Sequence, residues 1–217
     1  MSPRRASAKE KERETARRHL RKDPVMARLI AECADFDPRA WLSELPKLDA
    51  FGTLIFQVIG QQLSVKATHA ILARLQAHFH GRMPTPRRLL ATRPALLRKV
   101  GLSARKVATL RALAKKFLRE RLDLARLDKR SDDEILTLLT SVPGIGPWTV
   151  QGFLIIALNR KDVVLPGDLA LRRAIKQAYA LDQLPSEQEV LEISQAWRPY
   201  RSLATAYLFQ SAFAEHA

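Results

Sequence analysis

Two stretches of this sequence combine residue types and spacing that could do chemistry. The first is Val142-Pro143-Gly144-Ile145-Gly146-Pro147-Trp148-Thr149, a tight Gly/Pro-rich turn between two apolar helical patterns. The second is a lone acid in Leu165-Pro166-Gly167-Asp168. Glycine allows positive φ and the close approach of another backbone. Pro147 suits the first position of a helix, which puts the N–H groups of Gly146 and Trp148 at a helix N-terminus, where unpaired donors and the dipole favour an anion such as phosphate. Ile145 can plug the turn into the core. A carboxylate fixed after a Pro-Gly turn can stabilise a cation that forms beside it, or orient and deprotonate a water. Taken alone, the turn equally fits a plain helix–helix connection with a glycine C-cap, and Asp168 equally fits an ordinary N-cap.

Charge narrows the partner. The chain has 217 residues, a formal net charge of +15 and a pI near 10.6. A protein this basic meets a polyanion, nucleic acid by default. An anionic membrane is the competing surface, but no apolar run approaches the roughly 18–20 residues of a membrane span. Cys33 is the only cysteine, which excludes a disulfide framework, a zinc knuckle or a cysteine-ligated iron–sulfur cluster within one chain. The five histidines form no metal constellation; His78 and His80 are two apart near a helix end and read as surface residues. The charged N-terminus lacks the apolar core of a signal peptide. The expected location is intracellular: cytoplasm or nucleoid in a bacterium, nucleus in a eukaryote. A phosphate grip and a fixed carboxylate in such a chain are the tools for removing a base from DNA, because N-glycosidic cleavage passes through an oxocarbenium-like sugar.

The elements that must position these groups are helical. Residues 1–22 form a charge-dense opening with Arg4, Arg5, Arg13, Arg17 and Arg18 among interspersed glutamates, expected as a tail or frayed helix. Val25, Leu29 and Ile30 make one apolar stripe; Phe51, Leu54, Ile55, Val58 and Ile59 make another. Ser64 caps a helix from Val65 to Phe79. Thr85-Pro86 and Thr92-Pro94 open short helices, Ser103 opens one from Ala104 to Glu120, and Ser131 opens one ending at Thr140. Trp148 to Leu158 is apolar nearly all round and predicts a buried central helix. Asp168, Ser186 and Ser202 start the last three. No segment alternates like a strand, so the chain reads as all-α with about ten helices.

The turn and acid resemble the helix–hairpin–helix (HhH-GPD) DNA glycosylase superfamily, with its Gly/Pro-rich loop followed by an aspartate. The resemblance is to the alkylation-repair branch, the DNA-3-methyladenine glycosylase II (AlkA-like) type, and covers about Phe51 to Phe209. Its pieces are Ile59-Gly60-Gln61-Gln62-Leu63-Ser64-Val65-Lys66-Ala67, Gly101-Leu102-Ser103-Ala104-Arg105-Lys106, the hairpin with Leu165-Pro166-Gly167-Asp168, and Trp197-Arg198-Pro199-Tyr200-Arg201-Ser202. It implies two helical lobes with a cleft between them, in a short form without the N-terminal α/β lobe of longer members. One lobe is a bundle of about 51–165 carrying the hairpin; the other joins 23–50 to 166–217, together making a 23–217 glycosylase domain.

The resemblance also implies roles. Asp168 matches the catalytic acid, twenty residues after Trp148. Gly144, Gly146, Trp148 and Thr149 hold a DNA phosphate through backbone amides, with a monovalent Na or K ion at the carbonyls of Val142 and Ile145. Gln62 falls at the intercalating position of the wedge loop, with Leu63 the alternative; the same residues also fit a polar turn. Trp148 and Phe209 match aromatic pocket positions, whose faces stack on electron-poor bases. Relatives often carry Trp at Phe209 and Tyr at Gly152, so the pocket is expected to be wider here and open to etheno adducts. Arg105, Lys106, Arg198 and Arg201 are candidate phosphate contacts, though each taken singly fits a solvated charge better. Bifunctional members carry a lysine two residues after the second hairpin glycine, which forms a Schiff base with the sugar. Here that residue is Trp148, which implies base release without strand cleavage. Lys66, Lys106 and Lys161 are the other lysines considered. The expected partner is double-stranded DNA with damaged bases, met by a monomer. Two alternatives are a non-catalytic helix–hairpin–helix DNA-binding protein and a bifunctional glycosylase/lyase for oxidised bases.

Overall fold

The structure, a computed structural model, describes residues 8–33, 36–37 and 48–214. Arg4 and Arg5 of the basic opening, and residues 38–47 of the expected second lobe, lie outside the described residues. Among those described, every regular element is helical, as the absence of strand alternation predicts. Among the described residues, thirteen α-helices and one 3-10 turn take the place of about ten helices, because several short helices lie between the long ones.

The chain divides into two compact units, Pro46–Asn159 and Met1–Leu45 with Arg160–Ala217. In the first, α3 (Ala50–Gly60) is nearly all buried and packs against α4 (Val65–His78), α7 (Ala104–Glu120) and α10 (Pro147–Ile156). The short helices α5 (Pro86–Ala91) and α6 (Pro94–Lys99) lie on α7, followed by α8 (Leu124–Asp128), which the sequence reading missed. Thr85 caps α5, but Thr92 closes that helix rather than opening α6, whose cap position is Arg93. The helix α9 (Asp132–Thr140) begins at a capping box in which Ser131 and Glu134 satisfy each other's backbone donors. It leads through the hairpin into α10, where Val150, Phe153 and Leu154 are buried as expected.

The second unit contains α1 (Ala8–Leu20), α2 (Pro24–Glu32), α11 (Leu169–Ala178), α12 (Glu187–Ile193), the 3-10 turn Ser194–Trp197 and α13 (Arg201–Ala214). The basic opening segment is not a frayed tail from Ala8 onward. Ala16 and Leu20 are buried, Arg13 and Arg17 donate to the Phe36 carbonyl, and Arg17 also donates to the Tyr207 hydroxyl. Its apolar stripe and these two arginines dock the helix, while Lys11, Glu12, Glu14 and Arg18 are exposed. A polar chain runs through the core. Fully buried Trp197 donates from Nε1 to the Tyr179 hydroxyl at 3.0 Å, which in turn donates to Asp23 at 2.6 Å. Burial, then the neighbouring Asp23 carboxylate, holds the Tyr179 phenol well above its ordinary pKa.

Candidate functional site

The hairpin is built around one glycine. Gly144 has φ +88°, and a Cβ there would sit 2.1 Å from the Thr109 hydroxyl oxygen on α7. Only glycine combines that backbone angle with that approach. Ile145 is buried and donates its N–H to the Val142 carbonyl at 3.0 Å, so it plugs the turn as expected. Gly146 is different. It is the N-cap of α10 with φ −101°, makes no side-chain cap, and a Cβ there would meet nothing within 4 Å. Pro147 follows at the first helical position and has no N–H to offer. The start of α10 is therefore open on its Gly146 side, with the electrostatics of a helix N-terminus.

The hairpin is tied to the loop Gln61–Ser64. The Gln61 side-chain amide donates to the Gly144 carbonyl at 3.0 Å and to the hydroxyl of buried Thr149 at 2.9 Å. From α7, the Lys106 ammonium donates to the carbonyls of Ile59 at 2.7 Å and Gln61 at 2.9 Å. Burial lowers the pKa of that ammonium. Lys106 was expected as a phosphate contact; here its charge closes the C-terminal end of α3 and anchors the loop. Between these ties the loop projects Gln62 at φ +56° and Leu63, 40% exposed. A non-glycine residue at positive φ is held there by its surroundings, and a large apolar side chain left that exposed suits insertion into a stack. Arg105, at the start of α7, is exposed and fits a phosphate contact.

Trp148 is half-buried in the first turn of α10. Gly152, one turn further on the same face, was expected to leave a wider space. The structure fills that space: a Cβ at Gly152 would lie 2.7–2.8 Å from the amide of Gln57, which reaches across from α3. The space beside Gly152 is not a void: a Cβ there would require the Gln57 amide to shift.

Asp168 is the N-cap of α11, with φ −79° and ψ 116°. Its Oδ1 accepts from the Leu171 N–H at 2.8 Å, and its own N–H donates to the Leu165 carbonyl at 3.0 Å. Cap and turn together fix the carboxylate orientation, and the residue is half-buried. The helix α11 packs against α13, which carries half-buried Phe209. Asp162, the other nearby acid, is structural. Its carboxylate accepts from Arg201 at 2.7 Å and Arg198 at 3.1 Å. Partial burial raises its pKa, but hydrogen bonds and charge from Arg201 and Arg198 more than offset this and leave it below the ordinary value. Arg198 and Arg201 are thus ion-paired within the fold. Lys161 pairs with Glu12 and Lys106 is committed to carbonyls, so of the three lysines considered only Lys66 is an exposed side chain without such a tie. Among the described residues no group of three His, Cys, Asp or Glu could hold a metal ion, no helix is long and apolar enough to cross a membrane, and His78 and His80 are exposed.

Sequence reasoning did not find Gln57, Gln61 or Thr109. The available signal was a glutamine pair four apart, one of them inside the apolar stripe of α3; Thr109 gave none.

Residues 55–199 match the family model for the HhH-GPD superfamily of base excision DNA repair proteins. The chain is 31% identical over 191 residues to DNA-3-methyladenine glycosylase 1 of Schizosaccharomyces pombe, covering 87% of this chain and 82% of that one. Among solved structures it is similar to the S. pombe 3-methyladenine DNA glycosylase in complex with abasic DNA, with TM-score 0.84 and 31% identity, covering 92% of this chain and 97% of that one. It is also similar to DNA-3-methyladenine glycosidase from Bacillus halodurans, with TM-score 0.70, 29% identity and coverage of 90% and 93%.

Proposed function

We propose that this chain, which belongs to the HhH-GPD superfamily of base excision DNA repair proteins, is a monofunctional DNA glycosylase that hydrolyses the N-glycosidic bond of alkylated bases. The range is 3-methyladenine and 7-methylguanine; etheno adducts as a further class rest on Phe209 alone, since Gln57 fills the space beside Gly152. The S. pombe relatives, named for 3-methyladenine and solved with abasic DNA, support the substrate and the product. The observation that carries the reading is Asp168. Its carboxylate is oriented by its own helix cap, in a chain whose basic charge and open hairpin suit duplex DNA.

In this mechanism the target nucleotide leaves the stack, and the Gln62–Leu63 loop fills the gap. The start of α10 and Arg105 hold backbone phosphates, and a monovalent cation at the carbonyls of Val142 and Ile145 would complement them; Val142 already accepts from Ile145 and keeps a second lone pair. Trp148 and Phe209 offer faces to an electron-poor base. The glycosidic bond breaks with its electron pair leaving on the base. Asp168 stabilises the positive sugar, and water adds its oxygen to the anomeric carbon, giving up a proton to the carboxylate or to solvent. Trp148 at the lyase position cannot form an imine with the sugar, so the strand is expected to stay intact.

The test is a duplex carrying one alkylated or etheno base, resolved on gels with and without alkali. Cleavage that appears only after alkali supports the proposal. Cleavage without alkali supports a lyase, and silence over a broad lesion panel refutes both enzyme readings. Asp168→Asn keeps the cap, since Asn and Asp cap equally well. It is expected to abolish base release with DNA binding and stability intact; undiminished release would remove Asp168 from its role.

A further inference from the structure

Gln57 is a buried polar side chain whose amide makes no hydrogen bond to any described residue. It sits in α3, is 6% exposed, and is surrounded along its helix by buried Leu54, Ile55 and Val58. An unbonded amide is unfavourable in such a place, and a Leu or Met of similar volume would pack there without that cost. One turn along the same face, Gln61 has its amide bonded both to a carbonyl and to a hydroxyl. The Gln57 amide is not among the fully enclosed side-chain groups, so it keeps an opening. That opening has a definite neighbour. The amide packs over Gly152, where even a methyl group would collide with it. Trp148 lies on the same face of α10 one turn earlier, about 6 Å along the axis.

We propose that the Gln57 amide reads the edge of the extruded base and favours adenine-type lesions. This rests on the glycosylase reading above. An amide presents a carbonyl acceptor and an NH2 donor side by side. The N6/N7 edge of adenine presents the complement, an amino donor beside a ring-nitrogen acceptor, and the two make a bidentate pair. A base on the Trp148 indole has its edge within reach of a group one turn away. In 3-methyladenine that edge is intact. In 7-methylguanine it offers an O6 acceptor beside a methylated nitrogen that neither donates nor accepts, so one of the two bonds is lost. Gly152 thereby acquires a role: it makes room for the reader.

The experiment uses the full chain and DNA treated with a methylating agent, from which 3-methyladenine and 7-methylguanine are released together and quantified chromatographically. Gln57→Leu keeps the volume and removes both hydrogen-bonding groups. The single-turnover rate for 3-methyladenine is expected to fall roughly ten-fold or more relative to that for 7-methylguanine, within the range of one good bidentate pair. Free 3-methyladenine is expected to lose its advantage over free 7-methylguanine as a competing inhibitor of the same variant. If Gln57→Leu does not fold, as judged by circular dichroism and thermal melting, Gln57→Met carries the same comparison. An unchanged ratio overturns the proposal, as does a parallel fall of both rates, which would mark a packing role. Wild-type protein that releases neither base overturns the glycosylase reading itself, and this inference with it.

Discussion

The two glycines of the hairpin should fail in different ways when each is replaced by alanine. At Gly144 the backbone has φ +88° and the new Cβ meets the Thr109 hydroxyl at 2.1 Å, with two further Thr109 carbons at 3.2 and 3.3 Å. Left-handed backbone costs an L-residue about 1–2 kcal/mol, and overpacking a buried contact adds about 1–3 kcal/mol. The expected loss is about 2–5 kcal/mol, a fall in urea midpoint of about 1 M for a chain of this size. At Gly146 the backbone has φ −101° and nothing lies within 4 Å of the Cβ. Alanine is a poorer cap than glycine by a few tenths to about 1 kcal/mol, and reduced freedom of the unfolded chain returns about 0.4–1 kcal/mol, so stability should hardly move. A methyl group would instead stand on the open side of the α10 N-terminus, and affinity for duplex DNA should drop about ten-fold, about 1.4 kcal/mol. Urea denaturation and fluorescence anisotropy on a labelled abasic duplex read the two effects. A Thr109→Ala background should recover part of the Gly144→Ala loss, since it removes the 2.1 Å collision and leaves the backbone term; the coupling is expected at about 1–3 kcal/mol. A stable Gly144→Ala, no coupling to Thr109, or wild-type DNA affinity in Gly146→Ala would refute the assignment.

Four further outcomes follow from the same geometry. Arg105→Ala should weaken DNA binding for all sequences and reduce the slope of log affinity against log salt by about one. Lys106→Met should instead loosen the Gln61–Ser64 loop and slow base release with the salt slope unchanged; a slope change would return Lys106 to the phosphates. Tyr179→Phe should leave the Trp197 N–H without its partner in the core and cost about 1–3 kcal/mol in urea denaturation, with base release by the folded protein unaffected. Asp162 has a depressed pKa, so its contribution to stability is complete above the unfolded carboxylate value of about 3.9 and is lost as pH falls through the lower folded value. Asp162→Asn should therefore flatten the acid side of the stability–pH profile, and an unchanged acid limb would contradict the ion pairs with Arg198 and Arg201.

Much of the fold was legible in the sequence because its signals are local. Ser64, Ser103, Ser131 and Ser186 each cap a helix with their own side chains, and such bonds span two or three residues whatever the rest of the chain does. The hairpin and Asp168 were legible for the same reason: proline, glycine and a short acid act on their own backbone. What escaped was either short or distant. The five-residue α8 is too brief for periodicity to register. The docking of α1 depends on Phe36 and Tyr207, the latter 190 residues from Arg17.

The sequence by itself determined an all-helical chain, a tight glycine turn leading into a helix, and an acid at the head of another. Tertiary structure alone decided which glycine is constrained and which is open, since Thr109 reaches Gly144 and nothing reaches Gly146. It also decided that Lys106 anchors a loop, that Arg198 and Arg201 are held by Asp162, and that Gln57 occupies the space over Gly152. These are encounters between residues far apart in the chain, fixed by how helices pack. Spacing along one helix reports which face a residue occupies, whereas the partner on the facing helix is set by packing that no local pattern encodes.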